Sequence, residues 1–201
     1  MKKIELFGSD SAGYPAVSTF AQEIYWSKLS FSLNHFPELF FAITEDDHIL
    51  GCMGLNTNVR SPLFLNNFYF KQYTANQGKN IKISEQSVLA LNRYSLGLPI
   101  LISVTAAYAH SIDIQRIVYA GIDVSCKAIE SLGYQVTKCG QVDLGTLPHQ
   151  EQKNYIPWRE TYNPEIYILD TQPSNTICSL LMERLQTKIK MSANLRRLIQ
   201  L

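Results

Sequence analysis

The sequence predicts an α/β (α+β) domain with a mixed, largely antiparallel central sheet, helices on its faces, and a C-terminal amphipathic helix. Three observations carry this prediction. Two short apolar runs, Leu39–Ile43 and Ile49–Leu55, flank the polar turn Glu45-Asp46-Asp47-His48, the pattern of an antiparallel hairpin. From Lys82 onward, short strand-like runs alternate with helical stretches, which predicts a mixed sheet covered by helices. The chain has 201 residues, 46% of them hydrophobic and 17% charged, enough apolar material for one ordered domain.

The elements follow in chain order. Ile4–Phe7 is a first strand, and Gly8-Ser9-Asp10-Ser11-Ala12-Gly13 a turn. That turn does not satisfy the G-x-S-x-G pattern of a nucleophile elbow. Pro15 opens a helix whose face carries Val17, Phe20, Ile24 and Leu29, with Tyr25 and Trp26 alongside; it ends by Asn34, before His35-Phe36-Pro37. After the hairpin, whose Gly51 and Gly54 permit close backbone approach, Arg60–Gly78 forms an aromatic insertion. It suits either a loop covering the core or the wall of an apolar pocket.

Lys82–Leu91 is the central strand, carrying a lone acidic residue, Glu85, and followed by Asn92 and Arg93. Leu98–Ile112 is an apolar helix entered near Gly97, Arg116–Ala120 a strand, and Val124–Leu132 a short helix stopped by Gly133. Tyr134–Lys138 is another strand. Gln141–Asn163, with Pro148, Pro157 and Trp158, reads as polar and irregular, and Ile166–Leu169 as a last strand. From Thr176 the chain reads as one amphipathic helix, with Ile177, Leu180, Leu181, Leu185, Ile189, Leu195 and Leu198 as its apolar positions. The domain is expected over 1–170 and the helix over 171–201.

Charge and side-chain chemistry narrow the function. A net charge of +1 argues against an extended nucleic-acid surface. Cys52, Cys126, Cys139 and Cys178 show no C-x-x-C spacing, and His35, His48, His110 and His149 are dispersed. Reduced thiols and no metal are therefore expected, with His35 and His110 structural. Met1-Lys2-Lys3 runs straight into a strand and not into a long apolar segment, so a cytoplasmic protein is expected. The basic tail helix suits docking on the domain or on a second subunit in a homodimer, in preference to a membrane.

Two resemblances rest on these residues. The order strand, helix, hairpin, central strand, helix, strand, helix, strand resembles the GNAT acyltransferase fold, as does the helix ending in Leu132-Gly133-Tyr134. Three ordered blocks resemble the thermostable haemolysin family, whose fold is related to GNAT enzymes and acyl-homoserine-lactone synthases. They are His35-Phe36-Pro37-Glu38-Leu39 with Ile49-Leu50-Gly51 and Gly54-Leu55; Leu63-Phe64-Leu65-Asn66-Asn67-Phe68-Tyr69; and Pro157-Trp158-Arg159-Glu160-Thr161-Tyr162 before Pro164. Two departures mark a divergent member. Asn66 stands where the family has an acidic residue, and Gln86-Ser87-Val88 replaces the middle of its central-strand motif.

The resemblance implies an acyltransferase that passes an acyl group from a thioester, acyl-CoA or an acyl-carrier-protein conjugate, to a small amine. Glu85 is then the candidate base or amine anchor; the alternative is a solvent-facing Glu paired with Arg93 or Arg116. In GNAT enzymes the central strand splays from its neighbour and its backbone binds the donor, which here implies Val88 and Leu89. Arg93 and Gly97 are candidates for the donor's phosphates, although Arg93-Tyr94-Ser95-Leu96-Gly97 is one residue off the family's spacing and lacks its second glycine. The same residues suit an ordinary strand-to-helix turn, and an acyl-carrier protein would ask less of that loop. Phe64, Asn66, Phe68 and Trp158 are candidate pocket residues; Trp158 and Tyr162 form a pocket lip or pin a long loop. The tyrosine that many GNAT enzymes use as general acid, four residues before the glycine, is Ile129 here. A non-catalytic, membrane-active or partner-binding protein on the same scaffold, or a thioester sensor, is the competing reading.

Overall fold

The computed structural model describes residues 1–30, 32–57, 81–92, 96–172 and 190–199. Their elements are β1 (Lys2–Gly8), α1 (Tyr14–Leu29), β2 (Leu39–Glu45), β3 (His48–Asn56), β4 (Ile83–Leu91), α2 (Gly97–Ser111) and β5 (Arg116–Gly121). There follow α3 (Asp123–Glu130), β6 (Val136–Gln141), a 3-10 turn (Leu144–Thr146), α4 (His149–Tyr162), β7 (Glu165–Asp170), β8 (Lys190–Met191) and α5 (Ala193–Ile199). One eight-stranded sheet runs in the order β6-β7-β5-β4-β3-β2-β1-β8. Only β4/β5 and β1/β8 are parallel among its pairings. The predicted mixed, largely antiparallel sheet flanked by helices is the observed one.

The hairpin forms where the turn chemistry places it. Asp46 and Asp47 both adopt positive φ (48° and 66°), the backbone that a two-residue hairpin turn demands and that Asp tolerates. Pro15 sits in the first turn of α1, and Ser30 ends that helix in a left-handed conformation (φ 55°), its N–H bonded to Trp26 O. α3 ends two residues earlier than expected, at Glu130 with Ser131 as its C-cap, and Gly133 takes the left-handed backbone (φ 89°) in the turn that follows. Gly54 of β3 lies against Pro37, so that a Cβ there would collide with the ring. The Tyr14 hydroxyl donates to Pro37 O and holds that ring in place.

Two apolar layers clasp the sheet. On one face, Phe41, Ile43, Met53 and Leu55 pack with α2, whose Ile100, Leu101, Ile102 and Val104 are buried. On the other, Phe40, Ala42, Val88 and Ala90 meet Val17 and Ala21 of α1. Further along the same side, Val118, Ile166 and Ile168 meet Tyr155 of α4.

Two expectations are corrected. The stretch 141–163 is not irregular: α4 occupies His149–Tyr162 despite Pro157 inside it. Its composition is too polar to show a helical stripe, and its anchoring is tertiary, through Tyr155, which is buried against the sheet. The tail is not one continuous helix either. Lys190–Met191 pairs in parallel with Lys3–Ile4 of β1, and Ser192 N–H bonds Ile4 O. The outer edge of β1 offers backbone partners to any chain lying beside it, and a two-residue strand leaves no periodic trace in the sequence. The short α5 that follows buries Leu195 in the same core as α2. Residues 173–189, which carry most of the predicted tail helix, lie outside the described residues.

Candidate active site

The site is built by the divergence of two parallel strands. β4 pairs with β3 from Asn56↔Glu85 to Gly51↔Leu91, essentially its whole length. With β5 it pairs only from Ile83↔Arg116 to Gln86↔Tyr119. Beyond that point β5 continues beside β7, through Ala120↔Ile166 and Gly121↔Glu165. The parting coincides with a bulge: the β3/β4 register slips between Gly54 and Leu55, leaving Ser87 as the extra residue on β4. A bulge bends and twists its strand, and here it turns β4 away from β5.

The resulting cleft has a volume of about 470 Å³, within the range of small-molecule sites. Glu85, Val88 and Leu89 of β4, Tyr119 of β5, and Tyr155 and Trp158 of α4 line it, with Tyr25 and Lys28 of α1 at its side.

Glu85 stands just before the strands part, opposite Asn56 on one side and Val118 on the other, and is fully buried. The solvent-facing alternative for it is therefore overturned. Arg116, the partner offered by that alternative, makes an ion pair with Asp170, Nε to Oδ1 at 3.0 Å. The Tyr155 phenol is pushed up from its ordinary pKa mainly by burial, with Glu151, Tyr25 and Glu85 adding to the rise through their charges. Tyr155 thus lies within electrostatic reach of both Glu85 and Tyr25.

The exposed edge of β4 is engaged by α1. Asn92 N–H bonds Leu50 O, and the alternation of an antiparallel ladder then turns the backbone groups of Leu91 and Leu89 away from β3. The Tyr25 hydroxyl accepts a hydrogen bond from Leu89 N–H at 3.1 Å. Lys28 Nζ, one helical turn on, donates to Leu91 O at 2.7 Å. Burial pushes the Tyr25 phenol up to about 12, against the lowering effect of the Leu89 N–H, so the hydroxyl keeps its hydrogen at neutral pH.

Of the predicted site residues, Glu85, Val88, Leu89 and Trp158 are brought together on this cleft. Gly97 begins α2 and is buried there, but it is the neighbouring Leu98 that reaches the cleft wall. Phe64, Asn66, Phe68 and Arg93 lie outside the described residues. Trp158 and Tyr162 both line the cleft from α4, a helix where a long loop was expected. The Trp158 ring meets Tyr155 edge-on, centroids 6.4 Å apart. His35, assigned to the scaffold, also reaches the cleft wall.

Ile129 faces the cleft from α3 and is buried, so the position expected to carry an acidic tyrosine does point at the site but holds an alkyl chain. Tyr119, which also lines the cleft, stacks on Tyr167 with centroids 5.4 Å apart. The residues missed by sequence reasoning are Tyr25, Lys28 and Tyr155. Tyr25 and Lys28 lie on the predicted helix face near Ile24 and Leu29, but nothing local says that they reach β4. Cys52, Cys126 and Cys139 are free thiols, and Cys178 lies outside the described residues. Among the described residues no group of three or more His, Cys, Asp or Glu side chains is placed to hold a metal ion, and no helix is long and apolar enough to cross a membrane.

With this geometry, the chain is similar to solved acyltransferases. It matches BjaI, a CoA-dependent acyl-homoserine lactone synthase solved with SAM and isopentyl-CoA, with a TM-score of 0.67, 11% identity and full coverage of both chains. It matches the acyl-homoserine lactone synthase LasI with a TM-score of 0.61 and 14% identity, over 89% of this chain and 94% of that one. It matches FeeM, an N-acyl amino acid synthase from uncultured soil microbes, with a TM-score of 0.62 and 12% identity, over 85% and 92% of the two chains. The fold is that of the GNAT-like acyltransferases. No family model matches the chain, and no curated protein matches it.

Proposed function

We propose that the protein is an N-acyltransferase that moves an acyl group from a thioester, carried on coenzyme A or on an acyl-carrier protein, to a small amine. The observation that carries this reading is the parting of β4 from β5 directly after the buried Glu85. A carboxylate is placed at the closed end of a cleft whose walls are otherwise largely apolar, an expensive position unless its charge is used or matched. In this reading the acyl thioester lies in the opening along Val88 and Leu89. The amine approaches from the Glu85 side, and Glu85 takes the proton released as nitrogen attacks the carbonyl carbon. Trp158 and Tyr162 close the lip.

The three sequence blocks shared with the thermostable haemolysins extend the reading to membership of that family. The third of them, 157–162, falls on the cleft-lining part of α4. Acyl-homoserine lactone synthases and an N-acyl amino acid synthase among the similar folds support an amine acceptor.

The test is native mass spectrometry of the whole protein with octanoyl-coenzyme A and, separately, octanoyl-acyl-carrier protein. One of the two is expected to bind the wild type and Glu85→Gln alike. Binding of neither overturns the proposal.

A further inference from the structure

We infer that Tyr119 is a catalytic residue of this site: its hydroxyl donates the hydrogen bond that receives the thioester carbonyl oxygen as negative charge builds on it, with the Ser87 hydroxyl of the facing strand as a second donor. This rests on the acyltransferase reading above and adds to it the groups that stabilise the oxyanion.

Two hydroxyls stand where the strands fork. Gln86↔Tyr119 is the last pair that β4 and β5 make, and Ser87 is the next residue on β4. Both Tyr119 and Ser87 line the cleft. Tyr119 is only 2% exposed. Its Oη and the Ser87 Oγ are buried atoms, and neither has a hydrogen-bond partner among the described residues. The polar group beside the phenol is the Cys126 thiol, a weak acceptor. Buried hydroxyls are normally satisfied. Two left open at one fork, one from each strand, point to a ligand oxygen that both can reach.

The Tyr119 ring leans along β5 toward the opening. Gly121, two residues on and past the parting, lies against it: a Cβ there would come within 3.0 Å of Tyr119 Cε2 and 3.2 Å of Cδ2. A glycine in a strand permits such a close approach. Tyr167 stacks on the other ring, and its own hydroxyl is held by Asp123 Oδ1 at 2.8 Å and Glu165 Oε2 at 2.9 Å. The phenol is thereby fixed before substrate arrives, as electrostatic preorganisation requires.

Base and donor stand on opposite faces of the sheet. Alternation along β4 puts Glu85 on the face of Ile83, whose cluster includes Tyr155 of α4. Tyr119 belongs to the cluster on the α2 side. A carbonyl held in the fork therefore meets a proton acceptor on one side and a hydroxyl on the other. Addition needs this arrangement, because the oxygen swings away from the incoming nitrogen as it takes up charge. Neighbouring groups are committed or apolar. The Leu89 N–H bonds Tyr25 Oη at 3.1 Å, the Ser125 hydroxyl gives its hydrogen to Ile122 O at 2.7 Å, and Ile129 has no polar atom in its side chain.

The step balances. The amine nitrogen forms a C–N bond to the carbonyl carbon, and the C=O electron pair moves to oxygen, where the Tyr119 and Ser87 hydroxyls hold it. Glu85 takes the proton that nitrogen loses. The intermediate collapses with cleavage of the C–S bond, and the thiolate takes one proton from solvent while Glu85 returns one, so that amide and thiol are the net products. Burial pushes the Tyr119 phenol well above its ordinary pKa, so it keeps its hydrogen and acts by hydrogen bonding, not by proton transfer.

Infrared difference spectroscopy tests this without knowledge of the amine. Octanoyl-coenzyme A labelled with 13C at the carbonyl, or the same acyl group on acyl-carrier protein if that is the donor that binds, is compared on four proteins. They are wild type, Tyr119→Phe, Ser87→Ala, and protein carrying 3,5-difluorotyrosine at position 119. The bound carbonyl stretch is expected to rise in Tyr119→Phe, to rise less in Ser87→Ala, and to fall with the stronger fluorinated donor, while affinity stays within about threefold of wild type. Without thioester, Tyr119→Phe should melt no lower than wild type, because the hydroxyl it removes has no partner among the described residues. With an amine acceptor in hand, its kcat should drop about 100-fold, the usual result of removing one oxyanion donor, with KM for the thioester little changed. A stretch that is the same in wild type, Tyr119→Phe and the fluorinated protein overturns the inference and leaves the acyltransferase reading standing; a lower melting temperature beside it would make the hydroxyl a structural group. A stretch unmoved in Ser87→Ala alone removes Ser87 from the assignment. Failure of the wild type to bind either thioester overturns both the inference and the reading. Should Tyr119→Phe fail to fold, the fluorinated protein decides, because it keeps both the ring and the hydroxyl.

Discussion

The two halves of β4 carry the same backbone into different surroundings. Its first half, Ile83–Gln86, lies between β3 and β5 and is held on both edges by other strands. Its second half, Val88–Leu91, keeps β3 but has traded β5 for two side chains of α1, Tyr25 and Lys28. The bulge at Ser87 divides them. A strand ladder satisfies its groups rigidly and admits no ligand. Side chains satisfy the same groups while leaving a volume of about 470 Å³ between the strands. The chain thus makes a site by replacing a backbone partner with side-chain partners, and Glu85 sits on the rigid side of the border.

The largest effect that can break this comparison falls on Glu85. If the closed half holds the base, Glu85→Gln should lower turnover by about 10² to 10⁴, the range expected for loss of a general base, while thioester binding along the open half is retained. Product formation measured by mass spectrometry against native-state binding separates the two. Unchanged turnover would move the base elsewhere and leave Glu85 a structural group.

The open half is tested by alkaline titration. Burial raises the folded-state pKa of Tyr25 from 10 to about 12. An acid whose pKa is raised on folding contributes stability that is fully present below the unfolded value and is lost as pH climbs through the folded value. The window is therefore pH 10 to 12, with a slope of up to about 1.4 kcal/mol per pH unit for one proton. Urea unfolding across that window should show wild type losing stability more steeply than Tyr25→Phe. Tyr119 and Tyr167 are also raised by burial and contribute equally to both proteins, whereas Tyr155, whose rise Tyr25 shares in, adds to the same contrast. Equal slopes would mean that the phenol is not enclosed against β4.

How much of this was legible differs between the same two regions. The hairpin, the central strand and the order of elements are local matters. Asp46-Asp47 demands its turn, the apolar runs declare their strands, and Gly133 marks the turn after α3, so the fold and Glu85 could be read directly. The open edge could not. The Tyr25–Leu89 bond joins residues 64 apart, and in the sequence Tyr25 is one more aromatic on an apolar helix face. Nor could α4 be read, because its partners lie on β5 and β7 while its own sequence, HQEQKNYIPWRETY, is polar with a proline inside. Ile129 was read as a missing acid; the structure shows that the cleft has a phenol on the other wall.

The bulge itself offers the next test. Gly54 lies at the register slip, and a Cβ there would meet the Pro37 ring, whose carbonyl the Tyr14 hydroxyl engages. Gly54→Ala should cost about 1–3 kcal/mol, as overpacking of a filled site does, and thermal unfolding reads it. Because the clash falls on β3 and the strain at the border, thioester affinity should weaken along with stability. A destabilised variant with unchanged affinity would show that the opening does not depend on the bulge.

The smallest effect belongs to the outer end of the closed half. Lys82, just before β4, makes an ion pair with Asp113 at 2.8 Å, both side chains well exposed. Its backbone is held independently, its N–H bonding Gln115 Oε1 at 2.8 Å and its C=O accepting from Gln115 N–H at 3.1 Å. An ion pair in water gains little, because solvent and salt screen it and two long side chains must be ordered. Lys82→Ala should therefore leave the melting temperature unchanged at low and at high salt. Gln115→Ala, which removes the acceptor for the Lys82 N–H, should lower it. If instead Lys82→Ala melts earlier and added salt weakens the wild type, charge and not backbone pairing holds the first half of β4. The contrast between a strand-held half and a side-chain-held half would then fail at the end where it ought to be strongest.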